Sequence, residues 1–518
     1  MYLEAALLPL LLLSSLTHRS SASPISTYGV VRRCDSEADN ITTSPQSLNQ
    51  TALNQTALNQ TALNQTALNQ TALNQTALNQ TALNQTALNQ TALNQTALDP
   101  TASNQTALNQ ITLNQTALNP VALNSASGTG LALSILNNLS QGDSVNLYMT
   151  GNDANGLLVL LQPDGQWYYP PTDISTSIPT VISPDQITIP VSSDSGETTN
   201  LTIPIPVSAG RIWLAQGTLQ FSVVLGATGP ALVEPSVTGP SQNSTSWGFV
   251  ELTYTADGIV YSDISYVDFV SMNLGLVLTG ADMGTQTTPG LEPNAIQTLC
   301  EGLANQTAAD GYPWNELCVT DAQGQPVRVL APADYMDLNP DAFADYWSSY
   351  VDQVWTTYAS QPLIINSQSE LGNISCTVSA SDDLLTCTDD SDAGTIASFA
   401  QPSAMDIFSC ATGPFALDSA ATDLQQAVIP RLCAAFNRAT LLIDGGNVQP
   451  DGAMSECYYT APTTNWYSKL VHQLQLDGRG YAFAYDDVTP DNDANDAQNE
   501  SGLVASADPE GLLIIISS

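Results

Sequence analysis

From Asn49 to Asn124 the chain repeats Asn-Gln-Thr-Ala-Leu every five residues, with lapses at Asp99-Pro100 and Asn119-Pro120. A period of five matches neither the 3.6 of an amphipathic helix nor the 2 of a half-buried strand. One leucine per five residues buries too little apolar surface to offset the entropy of ordering the segment. Twelve Asn-Gln-Thr acceptor sequons lie between Asn49 and Asn114. The repeat therefore reads as a flexible, heavily glycosylated stalk. The alternative is a square β-solenoid of four pentapeptides per coil, leucines stacked inward and threonines two residues earlier. Either way, the globular fold is left to the residues that follow.

The segment before the repeat divides in two. Residues 5–16 are an apolar run followed by Ser20, Ser21, Ala22 and Ser23, which reads as a signal peptide over 1–22. The run is too short to span a bilayer. Residues 23–48 form a linker. The expected destination is secretion, to the extracellular space or a cell wall. Eight cysteines suit that compartment. So do six further sequons after the repeat, at Asn138, Asn200, Asn243, Asn305, Asn373 and Asn499.

Charge narrows the partners. Asp and Glu number 49 against 9 Lys and Arg, for a net charge of -40. So few cations cannot neutralise a run of phosphates, and nucleic acid is excluded as a partner. Anionic membrane surfaces are disfavoured in the same way. Only His18 and His472 occur, so a His-rich metal site cannot be built, and neither HExxH nor GxSxG is present. A Ser-His-Asp triad through His472 is formally possible. Carboxylates are the abundant chemistry, and neither metal nor cofactor is expected.

Residues 125–518 read as a single dense unit and a monomer. Its first part is rich in short strands and Pro/Gly/Ser turns, the mark of an antiparallel sandwich or barrel. Asn339 and Pro340 read as the start of a helix running to about Ala359. Phe343, Trp347, Tyr350, Val351, Val354, Trp355 and Tyr358 fall on one face of it, as core rather than a sugar platform. A second helix is expected from Pro293 to Asn305. The stretches YSKLVHQLQL, GYAFAYDDV and LLIIIS read as strands. The helical middle, about 286–434, thus looks inserted between β segments at about 125–285 and 435–518. Cys376 and Cys387 face each other across a hairpin centred on Ser381-Asp382, within disulfide reach. Cys300 with Cys318 and Cys410 with Cys433 are nearest-neighbour pairings, which leaves Cys34 and Cys457.

The most informative stretch is Trp247 to Leu278. Asp257-Gly258 marks a hairpin turn between two β-rich runs. On the first run Glu251, Thr253 and Thr255 share the polar face, while Val250, Leu252 and Tyr254 share the apolar one. A two-residue turn sets Glu251 opposite Ile264. Tyr266 and Asp268 then share the Glu251 face, and Asp263 and Tyr261 point away. Ideal strand geometry puts Asp268 roughly 13 Å along the strand, beyond the roughly 6.5–9.5 Å that separates the carboxyl groups of an inverting glycosidase. Side-chain reach, strand coiling or a bulge must make up the difference.

Taken together with DGQWYYP, LVEPS, DGYPWNELCVTD, RVLAPADY, YASQPL, DIFSC..GPFA, VIPRLCAAFNR and GYAFAYDDV, this stretch resembles fungal glycoside hydrolase family 64 over essentially all of 125–518. The resemblance implies an endo-acting β-1,3-glucanase with a thaumatin-like β-domain and an α/β subdomain bordering a wide cleft. It implies Glu251 as general acid and Asp268 as general base of an inverting mechanism, Thr253 and Thr255 lining the groove, and β-1,3-glucan as the partner. The FAYDDV segment resembles the acidic strand end of thaumatin-like proteins. Asp486 and Asp487 either line the cleft or are hydrogen-bonded structural aspartates. A non-catalytic glucan-binding wall protein is the competing function.

Overall fold

A computed structural model of the protein describes residues 130–139, 144–238, 245–389, 396–418, 420–491 and 499–517. In the repeat it describes the backbone of strands of two or three residues between Gln60 and Asn94. The signal segment, the linker and the choice between stalk and solenoid otherwise lie outside the described residues.

The described residues from Gly130 onward are mainly β. The principal sheet contains β1 (Val145–Asn152), β2 (Val207–Ala215), β3 (Trp247–Tyr254), β4 (Val260–Ile264) and, at its far edge, β6 (Val504–Ser506), hydrogen-bonded in that order. A short strand β5 (Phe269–Val270) follows β4 but pairs elsewhere, with Pro326–Leu330. The apolar faces of β1 to β4 supply Leu147, Met149, Ile212, Leu214, Val250, Leu252, Val260 and Ile264 to one large core. A second sheet supplies the opposing wall with Leu133, Ile135, Leu274, Leu276, Ile514 and Ile516. In it the last strand, Pro509–Ser517, lies parallel to Leu131–Asn137 and antiparallel to Asn273–Gly280. The two ends of the domain thus close its core together.

Among the described residues the helices longer than one turn are α1 (Ala295–Asp310), α2 (Pro332–Leu338), α3 (Ser348–Tyr358), α4 (Ala404–Ser409), α5 (Asp423–Asn437) and α6 (Trp466–Leu474). The expected helix over 340–359 is broken differently. Ala331 and Pro332 open α2, and Asn339 ends it. The residue before a proline is pushed out of the α region, so Pro340 closes one helix instead of starting another. Turns then lead to Ser348. All seven apolar residues expected to share a face are nevertheless buried. The helix expected from Pro293 to Asn305 runs from Ala295 to Asp310. YSKLVHQLQL is helix, not strand. Asn465 caps α6 by accepting from the Ser468 amide at 3.1 Å, and Tyr467, Ser468, Val471, His472 and Leu474 are buried at helical spacing. GYAFAYDDV is not a strand either: Tyr481 bridges Ser265, and turns follow.

The disulfides Cys376–Cys387, Cys300–Cys318 and Cys410–Cys433 are formed as expected. Cys376 is directly opposite Cys387 in the hairpin, and Cys457 is also disulfide-bonded. No described helix is long and apolar enough to cross a membrane.

Candidate active site

Side chains directly opposed across antiparallel strands point to the same side of the sheet. On the face of the principal sheet away from the large core, Tyr148, Trp213 and Phe249 form one such row across β1, β2 and β3. This row is sealed by Trp247, Phe221, Val223, Ile182 and Phe269 into a second, aromatic core. Two residues further along, the next row reads Thr150, Arg211, Glu251 and Asp263 across β1 to β4. The same sheet face therefore passes in one step from a dry aromatic cluster to a line of polar and charged groups. Thr150 is buried and accepts from the Trp213 indole at 3.1 Å. Glu251 is 37% exposed and Arg211 12%.

The register of the β3–β4 hairpin corrects the sequence reading. The loop has three residues, not two: the Thr255 amide donates to Ile259 O at 2.8 Å, and the Gly258 amide to Thr255 O at 3.0 Å. Gly258 takes φ +89°, a conformation open to glycine at little cost. The extra residue shifts the pairing by one, and a one-residue shift turns every side chain of the second strand over. Val250 now faces Ile264 inside the core, and Glu251 faces Asp263. Tyr261, opposite Thr253, also joins the Glu251 face. Tyr266, expected on that face, is instead buried in the large core. Thr253 is half-buried on the Glu251 side. The Thr255 hydroxyl accepts from the Ile259 amide at 3.0 Å and so staples the turn.

Asp268 reaches the same neighbourhood because the strand does not continue. After Ile264 the chain leaves β3, Ser265 bridges Tyr481, and the Tyr266 amide donates to Tyr481 O at 2.7 Å. The chain then leaves the hairpin ladder, and Phe269 packs on Trp247 and Phe249 with centroids 4.4 and 6.1 Å apart. Beyond Ile264 the two carboxylates are therefore no longer related by ideal strand spacing. The Asp268 carbonyl accepts from the Ala331 amide at 2.9 Å, which ties it to the N-cap of α2. Asp334, in the first turn of α2, is thereby brought to the charge of Asp268.

One cation serves this group. Arg211 donates to both oxygens of Glu234 at 3.0 and 3.2 Å, and its Nε lies 3.7 Å from Glu251. Its guanidinium lies over Phe249, 4.4 Å from the ring centroid. Burial pushes the Asp268 carboxyl up; Arg211 counters this and Glu251 reinforces it. Burial, then Glu251 and Asp487, holds Asp263 well above the ordinary carboxylate range despite Arg211. Burial, then Asp268 and Asp337, does the same to Asp334. Glu234 is raised by burial, with Arg211 opposing and Asp268 and Glu251 adding. Like charges in a poorly solvated site disfavour ionisation, and one arginine does not balance them.

The other dense group of ionisable residues is of a different kind. Asp486 accepts from Arg438 at 3.0 Å, from His472 Nε2 at 2.9 Å and from the Ala482 amide at 2.9 Å, and it is fully buried. Glu500 lies 4.0 Å from His472 Nε2. Among the described residues His472, Asp486 and Glu500 are the group compact enough for a shared metal ion. Arg438 and His472 already occupy both Asp486 oxygens, so the site is a closed ion network rather than a vacant ligand set. The histidine's other ring nitrogen lies 2.9 Å from Gln475 Oε1, and among the described residues no serine hydrogen-bonds to His472 to complete a triad.

The β-1,3-glucanase model of glycoside hydrolase family 64 matches residues 129–516. The chain belongs to glycoside hydrolase family 64. It is 28% identical over 291 residues to a glucan endo-1,3-beta-glucosidase of Cellulosimicrobium cellulans and, over the same length, to one of Arthrobacter sp. strain YCWD3. Each match covers 56% of this chain, and the chain spans about half the length of these curated relatives, 50%. A laminaripentaose-producing β-1,3-glucanase in complex with laminaritetraose superposes with TM-score 0.63 at 25% identity, over 75% of this chain and 99% of the other. A family 64 β-1,3-glucanase domain from Clostridium beijerinckii shares the fold, with TM-score 0.57 at 20% identity, over 76% and 99%.

Set in this family 64 chain, the structure brings Glu251 and Asp268 to one charged neighbourhood, with Thr253 beside them on β3. Sequence reasoning missed Arg211, Glu234 and Asp334, and it turned Asp263 away. The alternation around Arg211, polar at one step after Trp213, was the available signal for Arg211. Nothing local pointed to Asp334, which arrives from α2 through a backbone hydrogen bond. The paired Asp486-Asp487 divides between the two readings: Asp486 is structural, while Asp487 adds its charge to Asp263.

Proposed function

We propose that this family 64 protein is a secreted endo-β-1,3-glucanase that works by inversion. Its two facing sheets form a thaumatin-like β-domain, and residues of about 286–434 build the α/β wall of a wide cleft. Glu251 is the general acid and Asp268 the general base. Glu251 gives its proton to the glycosidic oxygen as the bond to the anomeric carbon breaks. Asp268 takes a proton from water, whose oxygen attacks that carbon from the opposite side. Thr253 and Thr255 border the bound glucan. The single observation that supports this best is the convergence of Glu251 and Asp268 on Arg211 from two different chain segments. A neutral polysaccharide is not repelled by the surrounding negative field, which an anionic substrate would meet. The signal segment 1–22 and the stalk over 49–124 belong to the same reading, as a route out of the cell and a glycosylated spacer.

The test is incubation of the purified protein with linear β-1,3-glucan, with products sized and the anomer at the new reducing end followed by proton NMR. Internal cleavage giving α-anomers first is expected. Binding without cleavage would instead identify a glucan-binding wall protein, and β-anomers would rule out inversion.

A further inference from the structure

The corrected hairpin register places a carboxyl group beside Glu251 that the two-carboxylate mechanism does not use. We propose that Asp263 is a positioning residue for the glycosidase reaction, its carboxyl sharing one proton with that of Glu251 across β3 and β4. This inference rests on the reading of Glu251 as general acid.

Three observations carry it. Asp263 and Glu251 are direct cross-strand partners on one sheet face, which sets their Cβ atoms roughly 4.5–5.5 Å apart, close enough for two carboxyl groups to meet. Asp263 is only 7% exposed, and among the described residues no hydrogen-bond donor reaches its carboxyl. A carboxylate so placed has lost water with only the already engaged Arg211 to offset the loss, which favours its protonated form, and a protonated carboxyl needs an acceptor. Finally, the groups that face it are mostly of its own sign. They are Glu251 on β3, Asp487 and Tyr481 from the segment after α6, and Arg211 on β2. Arg211 is already bound by both oxygens of Glu234. The tendency of Asp263 to stay protonated agrees with this geometry.

The chemistry balances. In glycosidic cleavage the Glu251–Asp263 pair loses one proton, through Glu251, to the leaving oxygen. Asp268 gains one from the attacking water. The site resets when Asp268 releases its proton to solvent and solvent returns one to the pair. Two interacting carboxyl groups titrate as a pair, and the second proton leaves at higher pH than it would from either alone.

The experiment measures kcat/KM against pH on linear β-1,3-glucan for the wild type, Asp263→Asn, Asp263→Glu and Glu251→Gln, with melting curves for each. Asp263→Asn is expected to move the alkaline limb to lower pH by about one unit, with KM within about two-fold and the limb restored in Asp263→Glu. Asp263→Thr, suited to a strand, reads the same limb if the asparagine variant does not fold. An unmoved alkaline limb in folded Asp263→Asn or Asp263→Thr, while Glu251→Gln is inactive, overturns the proposal and leaves the acid assignment standing. Full activity in Glu251→Gln overturns the acid assignment itself.

Discussion

Two groups of buried ionisable residues lie in this domain, and their charges are matched differently. In the core, Asp486 and Glu500 face Arg438 and His472. Around Arg211, the carboxyls of Glu234, Glu251, Asp263, Asp268 and Asp334 share that one cation, while Asp487, which adds its charge to Asp263, faces Arg438 and Arg431. Burial alone raises a carboxyl in both places. In the core, His472 and Arg438 overcome it at Asp486, which ends below its ordinary range, but not at Glu500, which stays above its own. Around Arg211 no carboxyl is so rescued, and Asp263, Asp268, Asp334 and Glu234 all end above theirs. Matching of charge, not depth, separates an ion network that holds the fold from one left in a reactive state. Asp486 and Asp487 are adjacent in sequence and fall on different sides of this divide.

The sharpest way to test that division is to remove one charge from each group and compare what is lost. Glu251→Gln and Asp268→Asn should each lower kcat/KM on β-1,3-glucan by about 10²–10⁴-fold, roughly 3–5 kcal/mol of barrier, with little change in melting temperature. Each replacement is nearly isosteric, and neither carboxyl holds two elements together through a short hydrogen bond of its own. Asp268→Asn should recover activity with small anionic nucleophiles, while Glu251→Gln should lose least on substrates with activated leaving groups. A large loss of stability in either variant would place these carboxylates with the core group.

Arg438→Met should show the reverse. It leaves Asp486 buried with one partner missing, and it also removes donors to the Asp486 and Val488 carbonyls, at 2.8 and 2.5 Å. Breaking a buried pair costs about 3–5 kcal/mol. Denaturant unfolding should register that loss, and activity should fall only with the folded fraction. A third measurement, stability against pH, separates the members of the core network. Burial lowers the His472 pKa, but Asp486 and Glu500 oppose it and raise it to about 9. Its stabilising share is complete below its unfolded pKa of about 6.5 and is lost as pH rises through 9. Asp486, being lowered, stabilises above its unfolded value of about 3.9 and stops doing so as pH falls through its folded one. His472→Gln should flatten the alkaline side of the stability curve. An unchanged alkaline side would mean that the imidazole is neutral in the folded state.

What the residues alone revealed depended on how local the governing physics was. The Cys376–Cys387 bridge and the Asp257-Gly258 turn follow from short-range geometry, and both are formed. The buried aromatic face from Phe343 to Tyr358 followed from composition, even though the helix starts at Ser348. The hairpin register did not follow, because Asp-Gly is compatible with two- and three-residue loops, and what distinguishes them is Asp257, which lacks the positive φ that a type I′ turn requires. The helix α6 was legible in principle: Asn465 is a good cap, and Tyr467, Val471 and Leu474 repeat at helical spacing. Apolar residues every second position, in KLVHQLQL, masked it. The grouping of Glu251 with Asp268 came from family resemblance. Its physical basis is the break in the strand between Ile264 and Phe269, where the chain is held by Tyr481 and Ala331 from distant segments.

The smallest expected effect concerns Asp334, and it separates stability from activity most finely. This carboxyl is half-buried in the first turn of α2, where the helix dipole favours a negative charge by about 0.3–1 kcal/mol. Burial and the charges of Asp268 and Asp337 act the other way and prevail, since its folded-state pKa lies well above the ordinary value. A carboxyl raised in the folded state binds more protons there than in the unfolded chain. It therefore favours folding fully below about pH 4, and that advantage disappears as pH rises through its folded value. Asp334→Asn cannot ionise, so its stability relative to the wild type should increase with pH. At neutral pH the gain should be about 1 kcal/mol at most, discounted for the residual exposure of the side chain, and it should vanish near pH 4. Activity is the second readout. If Asp334 supports the negative field around Asp268, the acid limb of kcat/KM should move to lower pH as that field weakens. A variant that loses stability at neutral pH would show that Asp334 is held by a favourable partner, and that the carboxyls around Arg211 are better balanced than that arginine alone implies.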